Sequence, residues 1–322
     1  MIITRRLLLA LLLGCAVMGQ AAAQPAYPSK PVTIVVPFPP GGSVDVVARL
    51  VAEPLRVHFG QPVVILNRPG AVGTIGANTV AKSAPDGHTL LMAIGAHPIT
   101  AALMSNLPYD TARDLAGISL IVRSPNMLVV RPDFPAKNLS ELVALAKAAP
   151  GKYTYSTAGN GSTTHVMTAM LGQAAGVTFQ HIPYQGGAAS LQAILGGQTD
   201  LNAAVASTAA PMIKAGRLRA LAIIGEKRSP QFPDVPTFAE SGYPGVRGDS
   251  WIGLFAPSAT PRSIITRIND AIQKIIAIPE NHEKLLMQAG MPVSIGPDEF
   301  DKLVKDEIRD FTALAKAVDL KM

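Results

Sequence analysis

The chain has 322 residues, with 28 Lys and Arg against 22 Asp and Glu, one Cys, one Trp and a net charge of +6. A basic excess this small, without any Lys/Arg block to track a phosphate backbone, argues against nucleic acid as a partner. A chain of this length buries enough core to need no covalent staples, and a lone Cys builds no disulfide framework.

At the start of the chain, Arg5 and Arg6 precede the apolar run Leu7 to Leu13, and small residues follow as far as Ala21-Ala22-Ala23. That order is a signal peptide, cleaved before Gln24 and directing export to the periplasm; its apolar run is too short to span a bilayer. Two variants of this leader stay open. Thr4-Arg5-Arg6-Leu7-Leu8 also resembles a twin-arginine signal, and Leu12-Leu13-Gly14-Cys15 resembles a lipoprotein box that would acylate Cys15. Cleavage before Gln24 removes the only Cys, so the mature protein is expected to carry no thiol. Beyond the leader no apolar run reaches the roughly 18 residues of a membrane span.

The remaining sequence alternates short β-branched runs with helical stretches, the pattern of strands joined by crossover helices. Strands are expected at Val32 to Val36, Val63 to Leu66 and Thr89 to Ile94, with helices at Ser43 to Phe59 and Gly73 to Ser83 and a turn at Pro85-Asp86-Gly87. After Arg123-Ser124-Pro125 a second series begins. Its strands are expected at Met127 to Val130, Tyr153 to Ser156, Phe179 to Tyr184, Leu201 to Val205 and Leu218 to Ile224. Its helices are expected at Leu139 to Ala148, from near Ser162, at Ala188 to Leu195 and at Ala209 to Lys214. The Pro- and Gly-rich stretch Ser229 to Gly248 reads as irregular. Trp251 to Ala256 is then a returning strand, and Ile264 to Ile276, Glu283 to Ala289 and Pro297 to Ala317 are helices. Two lobes follow: residues 24–123 with 249–322 form a discontinuous first lobe, and 124–248 the second, each a mostly parallel sheet flanked by helices in an α/β fold.

In doubly wound sheets, ligands bind beyond the carboxyl ends of strands, where loops meet helix N-termini. Two loops occupy such positions. Pro37 to Asp45 carries the pair Gly41-Gly42 ahead of a helix start, suited to close backbone approach and to an anion; the competing reading is a tight turn with Ser43 or Asp45 as cap. Ser156 to His165 offers small hydroxyls and glycines able to hold a carboxylate without a fixed cation, against a plain helix cap at Ser162 or Thr163. His165 is a candidate ligand contact or a packed histidine. Asp200 either orients a pocket donor or is a turn residue after Gly196-Gly197. His58, His88, His97, His165, His181 and His282 show no metal-ligand spacing, and no G-x-S-x-G elbow occurs.

These residues together resemble one family. Ile34 to Gly42 with Asp45, Asn67-Arg68-Pro69-Gly70, Pro85 to Leu91, Leu107-Pro108-Tyr109-Asp110, the Ser156 to His165 loop, Pro183-Tyr184, Asp234 to Thr237, Glu240 to Pro244 and Trp251 are similar to the tripartite tricarboxylate transporter receptors, or Bug receptors. The similarity runs through essentially the whole mature chain. It implies a type II periplasmic binding protein fold, two hinged lobes closing on a small organic acid, and delivery to inner-membrane permease subunits. It also implies a monomer with no cofactor and no catalytic residues. Carried over from the family, the ligand is held by Phe38, Pro39, Gly41, Gly42 and Asp45 from the first lobe and by Ser156, Thr157, Gly159, Ser162 and Thr163 from the second. Ala96 and His97 then face its distal end, with a solvent-exposed loop histidine as the competing reading of His97. Two departures from the family pattern stand at Leu66, where Glu is usual, and at Ala71-Val72, where Gly-Gly is usual. Alternatives to the transport receptor are a ligand-presenting co-receptor for a sensor kinase and, more remotely, a periplasmic hydrolase using Ser162.

Overall fold

The computed structural model describes residues 27–318, so the leader, Cys15 and the cleavage position lie outside the described residues. Eleven strands and eleven α-helices are described. The first segment gives β1 (Val32–Val36), α1 (Ser43–Phe59), β2 (Val63–Asn67), α2 (Thr74–Ala81), β3 (Thr89–Ile94), α3 (Ala96–Leu103), α4 (Thr111–Asp114) and β4 (Leu115–Ser124). The middle segment gives β5 (Asn126–Val130), α5 (Leu139–Ala148), β6 (Thr154–Thr157), α6 (Thr163–Ala175), β7 (Gln180–Pro183), α7 (Gly187–Leu195), β8 (Leu201–Val205), α8 (Ala206–Lys214) and β9 (Arg219–Ile223). The last gives β10 (Ser250–Pro257), α9 (Arg262–Ala277), α10 (Pro279–Gln288), β11 (Met291–Ile295) and α11 (Pro297–Val318).

The strands form two sheets, ordered β11-β4-β10-β3-β1-β2 and β7-β6-β8-β5-β9. Strands β2, β1, β3 and β4 run one way; β10, between β3 and β4, and β11, on the far side of β4, run the other way. The second sheet repeats the arrangement: β7, β6, β8 and β9 run together and β5 is reversed between β8 and β9. Most strands of each sheet thus run one way, as expected, and the reversed strands make both sheets mixed. The reversed strand inside each sheet, β10 or β5, is the one the chain delivers on crossing from the other sheet. Crossing takes one residue, Pro125, between β4 and β5, and the return reaches β10 at Ser250, which is paired with Ser124. The two connections lie side by side.

Amphipathic period sets the packing. On α1, Val44, Val47, Ala48, Val51 and Leu55 recur every three or four residues and are buried, and the helix closes on Gly60 in the left-handed region. Each such aliphatic side chain contributes about 1.5–3 kcal/mol when removed from water. They join Ile34, Leu90, Leu254, Ile268 and Ile272 on one face of the first sheet, while Val35, Leu91, Phe255, Phe300 and Val304 fill the other. The second sheet is covered likewise on both faces. A smaller cluster, Ile99, Val166, Phe311 and Leu314, brings α3, α6 and α11 together, so the last helix packs on elements from both sides of the crossovers. Ring space for Phe300 exists because Gly253 lacks a Cβ, which would lie 2.3 Å from the ring.

Bounds for β1, α1, β3, α5 and β8 coincide with those expected from sequence. Four elements were not expected: α3, α4, β4 and β11. At the family departure Ala71-Val72, the backbone keeps a glycine conformation, with φ of 45° and 55°.

Candidate functional site

Two strand-to-helix junctions from each sheet line one cavity. From the first sheet come Ser43, opening α1, and Ile94-Gly95-Ala96, joining β3 to α3. From the second come Ala158, Ser162, Thr163 and Thr164, joining β6 to α6, and Val205, Ser207 and Thr208, joining β8 to α8. Val122, Ser124, Ser250, Trp251, Ile252, Gln288 and Ala289 complete a cavity of about 390 Å³. Helix starts point backbone N–H groups that have no intrahelical acceptor and a positive dipole end. Arranged around a shared hollow, they form a receptacle for an anion.

The loop before α1 is built around Asp45. Its buried carboxylate accepts Gly41 N–H at 3.0 Å, Arg49 Nε and Nη2 at 2.8 and 3.1 Å, and Asn67 Nδ2 at 2.9 Å. Asn67 also donates to the Phe38 carbonyl at 3.1 Å. The hydrogen bonds from Arg49, then those from Gly41 and Asn67, hold the Asp45 carboxyl down to about pKa 2 against its burial. Gly41 turns the loop with φ of 86°, a conformation open to Gly.

The loop before α6 is self-contained. Ser162 caps the helix by accepting His165 N–H, and its hydroxyl lies 2.8 Å from the Gly159 carbonyl. Thr163 Oγ1 accepts from Asn126 Nδ2 at 2.9 Å and sits 2.9 Å from Ser250 Oγ, which itself donates to Asn126 Oδ1. Asn126 Nδ2 also donates to the Gly248 carbonyl. Both crossing segments are thus knotted to the first turn of α6. Beside them, Trp251 lines the cavity and gives its indole N–H to Glu307 at 3.1 Å. Burial lifts the Glu307 carboxyl to about pKa 8 and that of Asp249 to about 6; Arg123 Nε, 3.0 Å from Asp249 Oδ2, opposes the second shift.

Residues 47–320 match the family described as tripartite tricarboxylate transporter family receptor. The chain belongs to this receptor family. It is 36% identical over 298 residues to BugT of Bordetella pertussis, covering 92% of this chain and 91% of that protein. Among solved structures it is similar to Rhodopseudomonas palustris Rpa4515 with adipate, at 33% identity and a TM-score of 0.75 over 92% of this chain and 99% of the other. MatC from the same organism, with bound malate, is also 33% identical, with a TM-score of 0.72 over 89% and 99% of the two chains. Members are periplasmic binding proteins, and the two mixed sheets are their fold.

Of the residues singled out in the receptor's sequence, Ala96, Ser162 and Thr163 line the cavity. Phe38, Pro39, Gly41 and Gly42 stand in the loop leading to the lining residue Ser43, and Asp45, in the first turn of α1, is turned inward onto its partners. Ser156 is fully buried. Its hydroxyl accepts from Asn202 Nδ2 and Thr199 Oγ1, and lies within reach of the Ser190 and Leu201 carbonyls. Thr157 Oγ1 is 2.7 Å from His181 Nε2 and accepts Gly159 N–H, whose own carbonyl is bonded to Ser162. These residues brace the loop from behind.

Three of these residues lie away from the cavity lining. His97 is buried against Tyr109 and Phe255, behind its lining neighbour Ala96, because helix α3 turns its ring into the core. His165 accepts Gly161 N–H on Nδ1 and stacks on His181 at 3.9 Å, and burial, then the neighbouring imidazole, pulls it down to about pKa 4. Asp200 stands at the start of β8, where it accepts from Thr154 N–H and Oγ1 at the amino ends of two strands. The cavity opens at their carboxyl ends. Sequence reading missed Ser207, Thr208, Ser250 and Gln288. The first two were legible, since Ser207-Thr208 follow a strand as Ser162-Thr163 do.

Proposed function

We propose that this chain is a periplasmic receptor that captures a small organic acid by its carboxylate and passes it to the membrane permease subunits of a tripartite tricarboxylate transporter. The observation that carries this is the cavity on which the starts of α1, α3, α6 and α8 open. Residues 24–123 with 249–322 act as one lobe and 124–248 as the other, bending at the paired crossings. Ser162, Thr163, Ala96 and Ser43 touch the ligand; the Gly41-Gly42 loop, fixed by Asp45, closes over it; and Ser156, Thr157 and Gly159 set the shape of the second loop. Relatives solved with adipate and malate support a carboxylate as the ligand class. The protein acts free in the periplasm as a monomer after cleavage before Gln24.

Binding rather than catalysis also fits the local chemistry. Ser162 faces a carbonyl acceptor, and the His165 Nδ1 is occupied by Gly161 N–H, so the pair forms no nucleophile and base. Micromolar affinity needs about −8 kcal/mol, within reach of one closed cleft with several donors. Isothermal titration of the mature protein with a panel of mono-, di- and tricarboxylates tests the reading. Binding of at least one acid with a Kd in the micromolar range is expected, and a folded protein that answers none of them contradicts it.

A further inference from the structure

We propose that Asn126, which does not line the cavity, is a positioning residue: it fixes the direction of the hydroxyl pair Ser250 and Thr163, so that Thr163 holds the hydrogen that passes to a bound carboxylate. The inference rests on the carboxylate-receptor reading, in which Thr163 touches the ligand, and adds a residue behind the site that sets its donor. Asn126 is fully buried at the first position of β5, directly after the crossing residue Pro125. Thr163 and Ser250 both line the cavity, so without a bias either hydroxyl is able to donate.

Asn126 supplies the bias through what each of its partners can do. The Gly248 carbonyl only accepts, so the Asn126 amide turns its Nδ2 toward it. The second Nδ2 hydrogen goes to Thr163 Oγ1 at 2.9 Å, and both are then used. At the other end Oδ1 only accepts, and it takes the single hydrogen of Ser250 Oγ at 3.2 Å. Ser250 has nothing left to give. The 2.9 Å contact between Ser250 Oγ and Thr163 Oγ1 is therefore donated by Thr163. A hydrogen bond to a carboxylate is about twice as strong as one to a neutral hydroxyl. An acid beside Thr163 draws this hydrogen away from Ser250 Oγ, while Ser250 keeps its bond to Asn126. Close packing holds the arrangement in place, since a Cβ added at Gly248 would lie 2.8 Å from the Thr163 carbonyl.

Isothermal titration of the mature chain tests this with whichever of acetate, hexanoate, benzoate, adipate, malate and citrate binds most tightly, every variant being checked for folding by circular dichroism. Thr163→Val is expected to weaken binding about tenfold, the worth of one hydrogen bond to a charged group, and about fivefold more than Ser250→Ala does. In an Asn126→Ala background the Ser250 hydrogen has lost its acceptor, and the two losses are expected to agree within about twofold. A purely structural role for Asn126 would leave the gap between them unchanged. Equal losses in the parent, a larger loss from Ser250→Ala, or a gap that persists in the Asn126→Ala background overturns this inference and leaves the receptor reading standing. Where Asn126→Ala does not fold or binds no acid, the comparison in the parent alone decides. Silence from all six acids, with the parent folded, overturns both.

Discussion

Asp45 shows how one side chain can shape a site it does not line. Truncation to Ala removes the charged acceptor shared by Gly41 N–H and Asn67 Nδ2, at a cost of about 1.5–3 kcal/mol. Asp45→Ala is therefore expected to lower stability by that amount in a urea titration and to weaken acid binding about tenfold by calorimetry, because the loop before α1 loses its template. Gly42 is a cleaner probe. Its backbone is extended, φ −75° and ψ 165°, and an added Cβ meets only the Pro39 carbonyl at 3.8 Å. Gly42→Val should melt like the parent and bind more weakly; unchanged affinity removes that loop from the site. At Ala71 and Val72 the backbone holds left-handed angles that cost about 1–2 kcal/mol for a residue with a Cβ. Replacing both by Gly relieves this strain but frees the unfolded chain, and a net gain of about 1 kcal/mol in urea is expected. The two glycine-bearing loops were legible because Gly, Ser and Thr beside a helix start carry a chemistry that spacing reveals. What each hydroxyl bonds to is not local: Ser156 meets Thr199 and Asn202, and Thr163 meets Asn126 and Ser250.

At the level of elements, α11 repeats buried positions at Phe300, Val304, Glu307, Phe311 and Leu314. Phe311 and Leu314 reach Ile99 on α3 and Val166 on α6, either side of the crossings. Phe311→Ala should cost about 3–5 kcal/mol, and ligand affinity should move with it, since the helix start of α6 sits in the cavity. A stability loss with unaltered Kd shows that α11 is passive in binding. Strong periodicity made β1, α1, α5 and β8 readable to the residue. β4 escaped because Gly117 and Ser119 interrupt its β-branched run, and Gly117 is there to admit Phe300 and Asp301, 183 and 184 residues further on for contacts that no local window contains. α3 escaped because Pro98 reads as a breaker, although a first-turn position needs no N–H from it. Strand reversal was equally hidden, since direction in a sheet depends on which strand crosses over.

For the whole molecule, opposed buried groups set the pH profile. Burial holds His97, His165 and His181 near pKa 4, so the unfolded chain binds protons from about pH 6.5 downward that the folded chain refuses. Their contribution is present above pH 6.5 and is lost as pH falls toward 4. Glu307 and Asp249 act in the other sense. With folded values of about 8 and 6, they keep protons the unfolded chain has released, and that stability is lost as pH rises through those values. The melting temperature should peak around pH 6 and fall toward both pH 4.5 and pH 8.5, with Glu307→Gln flattening the alkaline limb alone. An alkaline limb that survives the substitution assigns the effect to another group. The carboxylate whose charge is at issue holds the indole of Trp251, the only tryptophan in the chain and part of the cavity wall. The protein's tryptophan emission therefore comes from a single fluorophore with the cavity on one side and a titrating acid on the other. Without any label, one spectrum recorded across acid concentration and pH separates occupancy of the cleft from the protonation of the helix behind it.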